Sequence, residues 1–128
     1  MRLLLDTNVI IPLINDKIDE LPDELAALVL NVRAEKMASV VVFWEMAIKN
    51  RLGKLPLPCS RSELPELVAF IGVRMLPVTI LQSVTDVDPW PETSDPFDRL
   101  MLAVCKSENL QLVTTDHALR DHPLAWRP

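Results

Sequence analysis

The chain has 128 residues, of which 49% are hydrophobic and 24% are charged, and its formal net charge is −5. This size and apolar content predict one compact domain over residues 1–128, and no segment reaches the roughly 18 uninterrupted apolar residues of a membrane span, so we expect a cytoplasmic protein without a membrane partner. The acidic balance excludes binding to nucleic acid by bulk electrostatic attraction alone, because phosphate binding normally uses clustered Lys and Arg side chains.

The first third of the chain alternates short hydrophobic runs with helical patterns, as expected for a parallel sheet flanked by helices. The run RLLL at residues 2–5 predicts a buried strand, and TNVIIPLI at residues 7–14 predicts a short helix. A second helix is predicted from apolar residues that recur at helical spacing, namely Leu25, Leu28, Val29 and Val32.

The next segment predicts a strand followed directly by a helix. SVVV from Ser39 predicts the second strand. FWEMAIKNRLG predicts a helix with Trp44, Ile48 and Leu52 on its apolar side and Gly53 as its left-handed cap. A further helix is predicted from apolar residues that stop at Gly72, namely Leu64, Leu67, Val68 and Ile71.

The remainder of the chain continues the alternation. RMLPVT predicts a third strand, placed at a sheet edge or in an irregular position because Pro77 cannot donate to a ladder. DVDPWPETSDP has the proline and turn chemistry of a loop. LQLVT predicts the last strand, which ends close to Asp116. The helix before it is predicted from Phe97, Leu100, Met101 and Val104.

Four carboxylates fall where a strand gives way to a loop or helix: Asp6, Glu45, Asp98 and Asp116. The carboxyl ends of parallel strands line one crevice, so side chains that are distant in sequence can meet there. Two unit charges about 4 Å apart repel by roughly 4 kcal/mol at an effective dielectric near 20, so unpaired carboxylates would be costly. A divalent cation with oxygen ligands removes that cost, and we therefore predict a metal site.

Each acid also has a structural interpretation. Asp95 precedes a proline and is predicted to cap the following helix, and Asp98, at the third helical position, could close an imperfect capping box. Asp6 and Asp116 could cap the helices that follow them, and Glu45 could favour a helix start. For each acid taken alone, the structural interpretation explains its position about as well as metal binding does. The assignment of all four acids to one crevice favours the metal site.

Every charged residue between positions 46 and 62 is basic, namely Lys49, Arg51, Lys54 and Arg61. Because this segment directly follows Glu45, it could position a phosphate backbone beside the carboxylates. Cations also favour a helix C-terminus, so both interpretations remain open.

Several chemistries are excluded by what the chain lacks. Its only glycines are Gly53 and Gly72, so no Gly-rich loop is present to cradle a phosphate. Asn8 stands where a dehalogenase-type phosphatase needs a second Asp. A nucleophilic triad requires a His, and the only candidates are His117 and His122.

The stretches LLLDTNVI, SVVVFWEMAIKNRLGKLPLP and DPFDRLMLAVCKSENLQLVTTD resemble PIN-domain ribonucleases of the VapC toxin type in order and spacing. The resemblance extends from Arg2 to about Trp126. It implies an α/β fold, a PIN-like three-layer sandwich in which helices flank a central, mostly parallel sheet. It also implies an endoribonuclease that uses Mg²⁺ or Mn²⁺ to hydrolyse RNA, acting as the toxin of a prokaryotic type II toxin–antitoxin pair with a cognate antitoxin as partner.

By the same resemblance, the catalytic metal ligands are Asp6, Glu45, Asp98 and Asp116, and the supporting residues are Thr7, Asn8, Asp95 and Thr114. Candidates for orienting the scissile phosphate are Lys49, Arg51 and Arg99. An ion pair with Asp95 or Asp98 is the alternative role for Arg99. The chain departs from the family pattern at Thr93, where many relatives have His, and at Val42, where a Ser is frequent.

Two other functions stay open. The acidic crevice could chiefly receive a basic segment of a partner, in a binding module with weak catalysis. The chain could also be a PIN nuclease that acts on DNA or in RNA maturation. Paired hydrophobic helices further suggest a homodimer.

Overall fold

A computed structural model describes residues 1–128 and has a four-stranded sheet at its centre. The strands are β1 (Arg2–Leu5), β2 (Glu35–Ser39), β3 (Val73–Leu76) and β4 (Gln111–Val113). Their order across the sheet is β3-β2-β1-β4, and every pairing is parallel. All four carboxyl ends therefore face the same side of the molecule.

Helices connect and flank the strands. They are α1 (Thr7–Ile14), α2 (Asp23–Leu30), α3 (Val40–Arg51), α4 (Leu64–Phe70), α5 (Ile80–Val84), α6 (Pro96–Glu108) and α7 (His117–Arg120). Two short 3₁₀ turns lie at Ile18–Glu20 and Arg61–Glu63. No helix is both long and apolar enough to cross a membrane.

The core forms around the central strand β1. Leu3, Leu4 and Leu5 are fully buried and belong to a cluster of 28 buried apolar residues. A strand with neighbours on both edges and helices on both faces has no exposed side, which explains its continuous apolar sequence. The C-terminal segment covers the outer edge of β4, because the backbone of Leu112 exchanges hydrogen bonds with Leu124 and Trp126.

The predicted α/β class, with a parallel sheet flanked by helices, is confirmed. β1, α1, α6 and β4 lie where the sequence placed them, and β3 is an edge strand as Pro77 predicted.

The predicted second strand was wrong in its position. β2 ends at Ser39 instead of beginning there, and Val40 to Val42 form the first turn of α3. The Ser39 hydroxyl accepts a hydrogen bond of 3.2 Å from the backbone N–H of Val41, which caps the helix. The cap therefore outweighs the strand preference of three consecutive β-branched residues.

Two predicted helix faces also need correction. Trp44 and Leu52, assigned to the buried side of α3, are 60% and 58% exposed, whereas Val42 and Met46 are fully buried. Val32, assigned to the apolar face of the second helix, lies beyond the end of α2 and is 95% exposed.

Candidate metal site

Asp6 lies at the carboxyl end of β1, between β2 and β4. Its backbone N–H donates to the carbonyl oxygen of Val113 over 3.0 Å, so the sheet ladder fixes its position. The side chain is 5% exposed. One carboxylate oxygen accepts from the Thr7 N–H over 2.7 Å, and the other accepts from the Thr114 hydroxyl over 2.6 Å. Asp6 is therefore a buried carboxylate with both oxygens engaged, and it caps α1 as one of its two interpretations predicted.

Asp116 follows the neighbouring strand β4. Its backbone N–H donates to the Thr114 hydroxyl over 3.0 Å, so Thr114 links the loop after β4 to Asp6. The Oδ1 atom of Asp116 accepts from the Ala118 N–H over 2.9 Å and caps α7. Its Oδ2 atom accepts no hydrogen bond and is open to solvent.

Glu45 reaches the same edge of the sheet from α3. It is the sixth residue of that helix, so the interpretation that it favours a helix start does not apply. Its Oε1 accepts from the Thr7 hydroxyl over 2.9 Å. Its Oε2 forms an ion pair of 2.8 Å with the ammonium group of Lys49.

Asp98 lies in the first turn of α6 and is 7% exposed. It accepts a hydrogen bond of 2.9 Å from the Thr93 hydroxyl through Oδ2, while Oδ1 has no hydrogen-bond partner and is not fully buried. Asp95, not Asp98, caps the helix, because its carboxylate accepts from the Phe97 N–H over 2.9 Å. The capping function assigned to Asp95 is thus observed, and Asp98 is left facing the crevice.

The acids influence one another electrostatically. Burial raises the pKa of Asp6, against the opposing effect of hydrogen bonds from Thr114 and Thr7, and the charges of Glu45 and Asp116 raise it further. Burial also raises the pKa of Asp98 to about 6, the Thr93 hydrogen bond lowers it, and the charges of Asp95, Asp6 and Asp116 add to the increase. These mutual effects require Asp6, Asp98 and Asp116 to lie near one another.

The donor set fits a hard divalent cation. It consists of carboxylate and hydroxyl oxygens without Cys or His, the ligand type that suits Mg²⁺ and Mn²⁺. Asp98 and Asp116 each present one free oxygen. The side chains do not form a closed cage, since no group of three or more acidic, His or Cys residues is close enough to hold an ion. A cation would therefore draw the carboxylates together and take waters as further ligands.

The basic residues predicted to contact phosphate differ in their environments. Lys49 is paired with Glu45, whereas Arg51 is exposed and forms no ion pair. The Arg99 guanidinium donates to the carbonyl oxygens of Thr85 and Ser83, each over 3.3 Å, and lies 5.9 Å from the centre of the Trp90 ring.

The alternative ion pair of Arg99 with Asp95 or Asp98 is absent. The Arg99 guanidinium is held against α5 and the loop before α6. The predicted supporting residue Asn8 is exposed and makes no side-chain hydrogen bond.

Thr93 is a site residue that the sequence analysis did not assign. Its hydroxyl accepts from the Asp95 N–H over 3.1 Å while donating to Asp98. Thr114 makes the same pair of contacts with Asp116 and Asp6. The Thr-x-Asp pattern, present at 93–95 and again at 114–116, was the available signal.

An aromatic pair connects α3 and α6. The Trp44 and Phe97 rings meet edge to face, with centroids 5.5 Å apart. These residues immediately precede Glu45 and Asp98 in the chain, so the contact ties the start of α6 to α3.

The fold has been observed before in solved structures. A toxin–antitoxin complex from Klebsiella pneumoniae is similar, with a TM-score of 0.59 and 17% sequence identity over 98% of this chain and 96% of that chain. VapBC2 from Rickettsia felis, bound to a DNA fragment from its promoter, gives a TM-score of 0.58 and 16% identity at the same coverage. At these identities the likeness is one of fold alone.

One of two sequence comparisons identifies a family that agrees with this fold. No curated protein matches the sequence. The family model of the PIN domain matches residues 3–123, which is nearly the whole chain. Together with the parallel sheet and the acids at its carboxyl edge, this match places the chain in the PIN domain family.

Proposed function

We propose that this chain is a divalent-metal-dependent endoribonuclease, and that it acts as the toxin of a type II toxin–antitoxin pair. The observation that carries the nuclease proposal is the crevice in which Asp98 and Asp116 present free oxygens beside buried Asp6, within a PIN fold. Carboxylates gathered without a compensating cation are costly, and a divalent ion with oxygen ligands removes that cost.

In the proposed mechanism, Asp6, Asp98 and Asp116 would hold Mg²⁺ or Mn²⁺, and Glu45 would be a further ligand. The bound cation would lower the pKa of a water and stabilise the charge that develops on the phosphate. Thr114 fixes the carboxylate of Asp6 through its 2.6 Å hydrogen bond. A ligand that is already oriented loses less conformational entropy when the cation binds.

We propose that Arg51 contributes to holding the RNA backbone. It lies at the C-terminal end of α3, two turns beyond Glu45, and its guanidinium forms no ion pair. An exposed, unpaired Arg can make bidentate contacts to phosphate oxygens. Lys49 and Arg99 were the other candidates, but their cationic groups already contact Glu45 and backbone carbonyls, respectively.

RNA cleavage by the purified protein tests the nuclease proposal. We expect cleavage with Mg²⁺ or Mn²⁺, loss of cleavage with a chelator, and a decrease of orders of magnitude in Asp6→Asn. Asp19→Asn is the matched control and should cleave like the wild type, because Asp19 is exposed in the 3₁₀ turn at Ile18–Glu20 and is not a proposed ligand. Single-stranded DNA of the same sequence, assayed in parallel, distinguishes RNA from DNA as the substrate. Cleavage that persists in chelator would contradict the proposal.

The toxin proposal is supported by the two similar structures, of which one is described as a toxin–antitoxin complex and the other as VapBC2 bound to a DNA fragment from its promoter. We propose a cognate antitoxin that inhibits by placing an Arg or Lys in the acidic crevice, where its charge substitutes for the metal ion. Such an inhibitor competes with Mg²⁺, so its measured affinity should decrease as Mg²⁺ is raised. An affinity independent of Mg²⁺ and unchanged in Asp98→Asn would place inhibition at a remote surface.

A partner-binding module with weak catalysis is the second candidate. It is favoured by one observation, that both oxygens of Glu45 are already engaged by Thr7 and Lys49. This function predicts that a basic peptide binds the crevice tightly while RNA cleavage stays at background at every metal concentration.

A homodimer is proposed on the basis of an exposed apolar face of α5. Ile80, Leu81 and Val84 are 86%, 72% and 70% exposed, and Ile80 and Val84 lie about one turn apart on the same face of the helix. Exposed apolar side chains grouped in this way are typical of an interaction site. Light scattering on the wild type and on Leu81→Asp tests the proposal, which predicts a dimer and a monomer, respectively.

A further inference from the structure

Lys49 differs from the other basic residues of the chain in the partner of its ion pair. Its ammonium group lies 2.8 Å from Oε2 of Glu45, one turn earlier on α3. The other ion pair of the structure, Arg2 with Glu35, lies at the opposite end of β1. Lys49 is therefore the only cationic side chain that forms an ion pair with one of the proposed metal ligands.

The contacts of Glu45 differ from those of Asp98 and Asp116. Both of its oxygens accept hydrogen bonds, from the Thr7 hydroxyl and the Lys49 ammonium group. Asp98 and Asp116 instead retain one free oxygen each. A cation entering the crevice can therefore bind an unoccupied oxygen of Asp98 or Asp116, whereas at Glu45 it must share an oxygen with the Thr7 hydroxyl or with the Lys49 ammonium group, whose charge repels it.

We propose that Lys49 is a positioning residue that serves as an internal counter-ion, holding Glu45 in the metal-free protein and competing with the divalent cation for it. This inference rests on the proposed function, since it assumes that the crevice binds a metal ion. The Glu45 side chain is 19% exposed and that of Lys49 is 45% exposed, so the pair is partly shielded from solvent while the ammonium group can still swing into water. Displacement of Lys49 thus has an available path.

The proposal has a definite electrostatic consequence. A unit positive charge beside the site repels a divalent cation and also occupies one ligand oxygen, so both effects reduce metal affinity. Removing the charge should increase affinity for Mn²⁺ by about threefold to tenfold, the scale of a screened interaction over a few ångströms. If Lys49 instead orients Glu45 for the metal, removing its charge should decrease the affinity for Mn²⁺.

Calorimetric titration with Mn²⁺ tests the proposal directly. Lys49→Met keeps the aliphatic length and removes the charge, and it should bind Mn²⁺ about threefold to tenfold more tightly than the wild type. Lys49→Arg keeps the charge and should stay within about twofold of the wild type. Thermal melts of both variants without metal verify that they are folded.

A double-mutant cycle identifies the residue through which Lys49 acts. In the Glu45→Gln background, Lys49→Met should give a clearly smaller gain in Mn²⁺ affinity, because the competition for a charged Glu45 oxygen is lost and only the direct repulsion between Lys49 and the cation remains. An equal gain in both backgrounds would mean that Lys49 acts through the general field of the crevice, which would overturn the proposed competition at Glu45.

The outcomes separate this inference from the proposed function. If the wild type binds Mn²⁺ and Lys49→Met binds it equally or more weakly, the counter-ion role is wrong while the metal site stands. If Lys49→Met loses affinity for RNA with no change in Mn²⁺ affinity, Lys49 is a phosphate contact instead. If the wild type binds no Mn²⁺, both proposals fail.

Discussion

The Thr114 hydroxyl donates a hydrogen bond of 2.6 Å to the Asp6 carboxylate, although the two residues are 108 positions apart in the chain. The parallel pairing of Leu5 with Val113 brings the ends of β1 and β4 side by side and makes this contact possible. Because Thr114 also accepts from the backbone of Asp116, one hydroxyl links two of the proposed metal ligands.

Replacing Thr114 by Val should destabilise the protein by about 1–3 kcal/mol, because the buried Asp6 loses a hydrogen-bond donor that nothing replaces. The pKa of Asp6 should rise further, since that hydrogen bond lowers it. Denaturant melts at pH 7 measure the loss. Thr115→Val, at the next residue, is the control and should change stability by less than about 0.5 kcal/mol. Equal losses in both variants would mean that the hydroxyl of Thr114 has no special role.

Stability of the metal-free protein should depend on the ionisation of Asp98. Its pKa is raised from 3.8 to about 6 in the folded protein, so the folded state binds more protons than the unfolded state between these values. The stabilising contribution is therefore complete below about pH 4 and is lost as the pH rises through 6.

The unfolding free energy of the wild type minus that of Asp98→Asn isolates the contribution of the Asp98 carboxyl group. This difference should decrease by on the order of 1 kcal/mol between pH 5 and pH 7.5, after allowance for solvent screening. Urea melts of both proteins in chelator across this range provide the measurement. A difference that is constant or increases with pH would show that Asp98 does not titrate in this environment.

Asp95 and Asp98 should respond differently to metal, because only Asp95 caps α6. Asp95→Ala should lose about 1 kcal/mol of stability with or without Mn²⁺ and keep the full metal-induced increase. Asp98→Asn should be at least as stable as the wild type in chelator, since repulsion is relieved. It should lose the metal-induced increase, which for the wild type is roughly 2.7 kcal/mol at 100 times the dissociation constant. If Asp98→Asn is destabilised in chelator and keeps the full metal-induced increase in stability, Asp98 is not a metal ligand.

RNA binding should separate Arg51 from Arg99. Arg51→Ala should weaken binding at low salt and reduce the slope of log affinity against log salt by about one phosphate contact. Arg99→Ala should leave that slope unchanged, because the Arg99 guanidinium is bound to backbone carbonyls and lies against Trp90. Fluorescence anisotropy in chelator, which prevents cleavage, provides both slopes. A reduced slope only in Arg99→Ala would reverse the assignment.

Much of the fold could be predicted because the buried strands are continuous apolar runs. RLLL and LQLVT were located correctly to within a residue at each end, and the resemblance to the PIN family is confirmed over residues 3–123. The second strand was misplaced because Val40 to Val42 favour a strand locally, whereas the Ser39 cap and the packing of Val42 in the core select a helix. A cap of this kind competes with strand propensity, and the sequence alone does not decide between them.

The site could be predicted in part. Strand ends indicated Asp6 and Asp116, and the spacing of Glu45 and Lys49 is that of an i,i+4 ion pair. The contacts of Arg99 could not be predicted, because its acceptors are carbonyl groups that only the packing of α5 against α6 brings into reach.

The central claim is that the acids at the end of the sheet hold a divalent cation. Anomalous diffraction from a crystal soaked in Mn²⁺ tests this claim most directly, because it locates the ion independently of activity. Our account predicts one dominant anomalous peak at coordination distance from carboxylate oxygens of Asp98 and Asp116, close to Asp6, and no such peak in an Asp98→Asn crystal. An empty crevice at saturating Mn²⁺, or a dominant peak elsewhere on the surface, would contradict it.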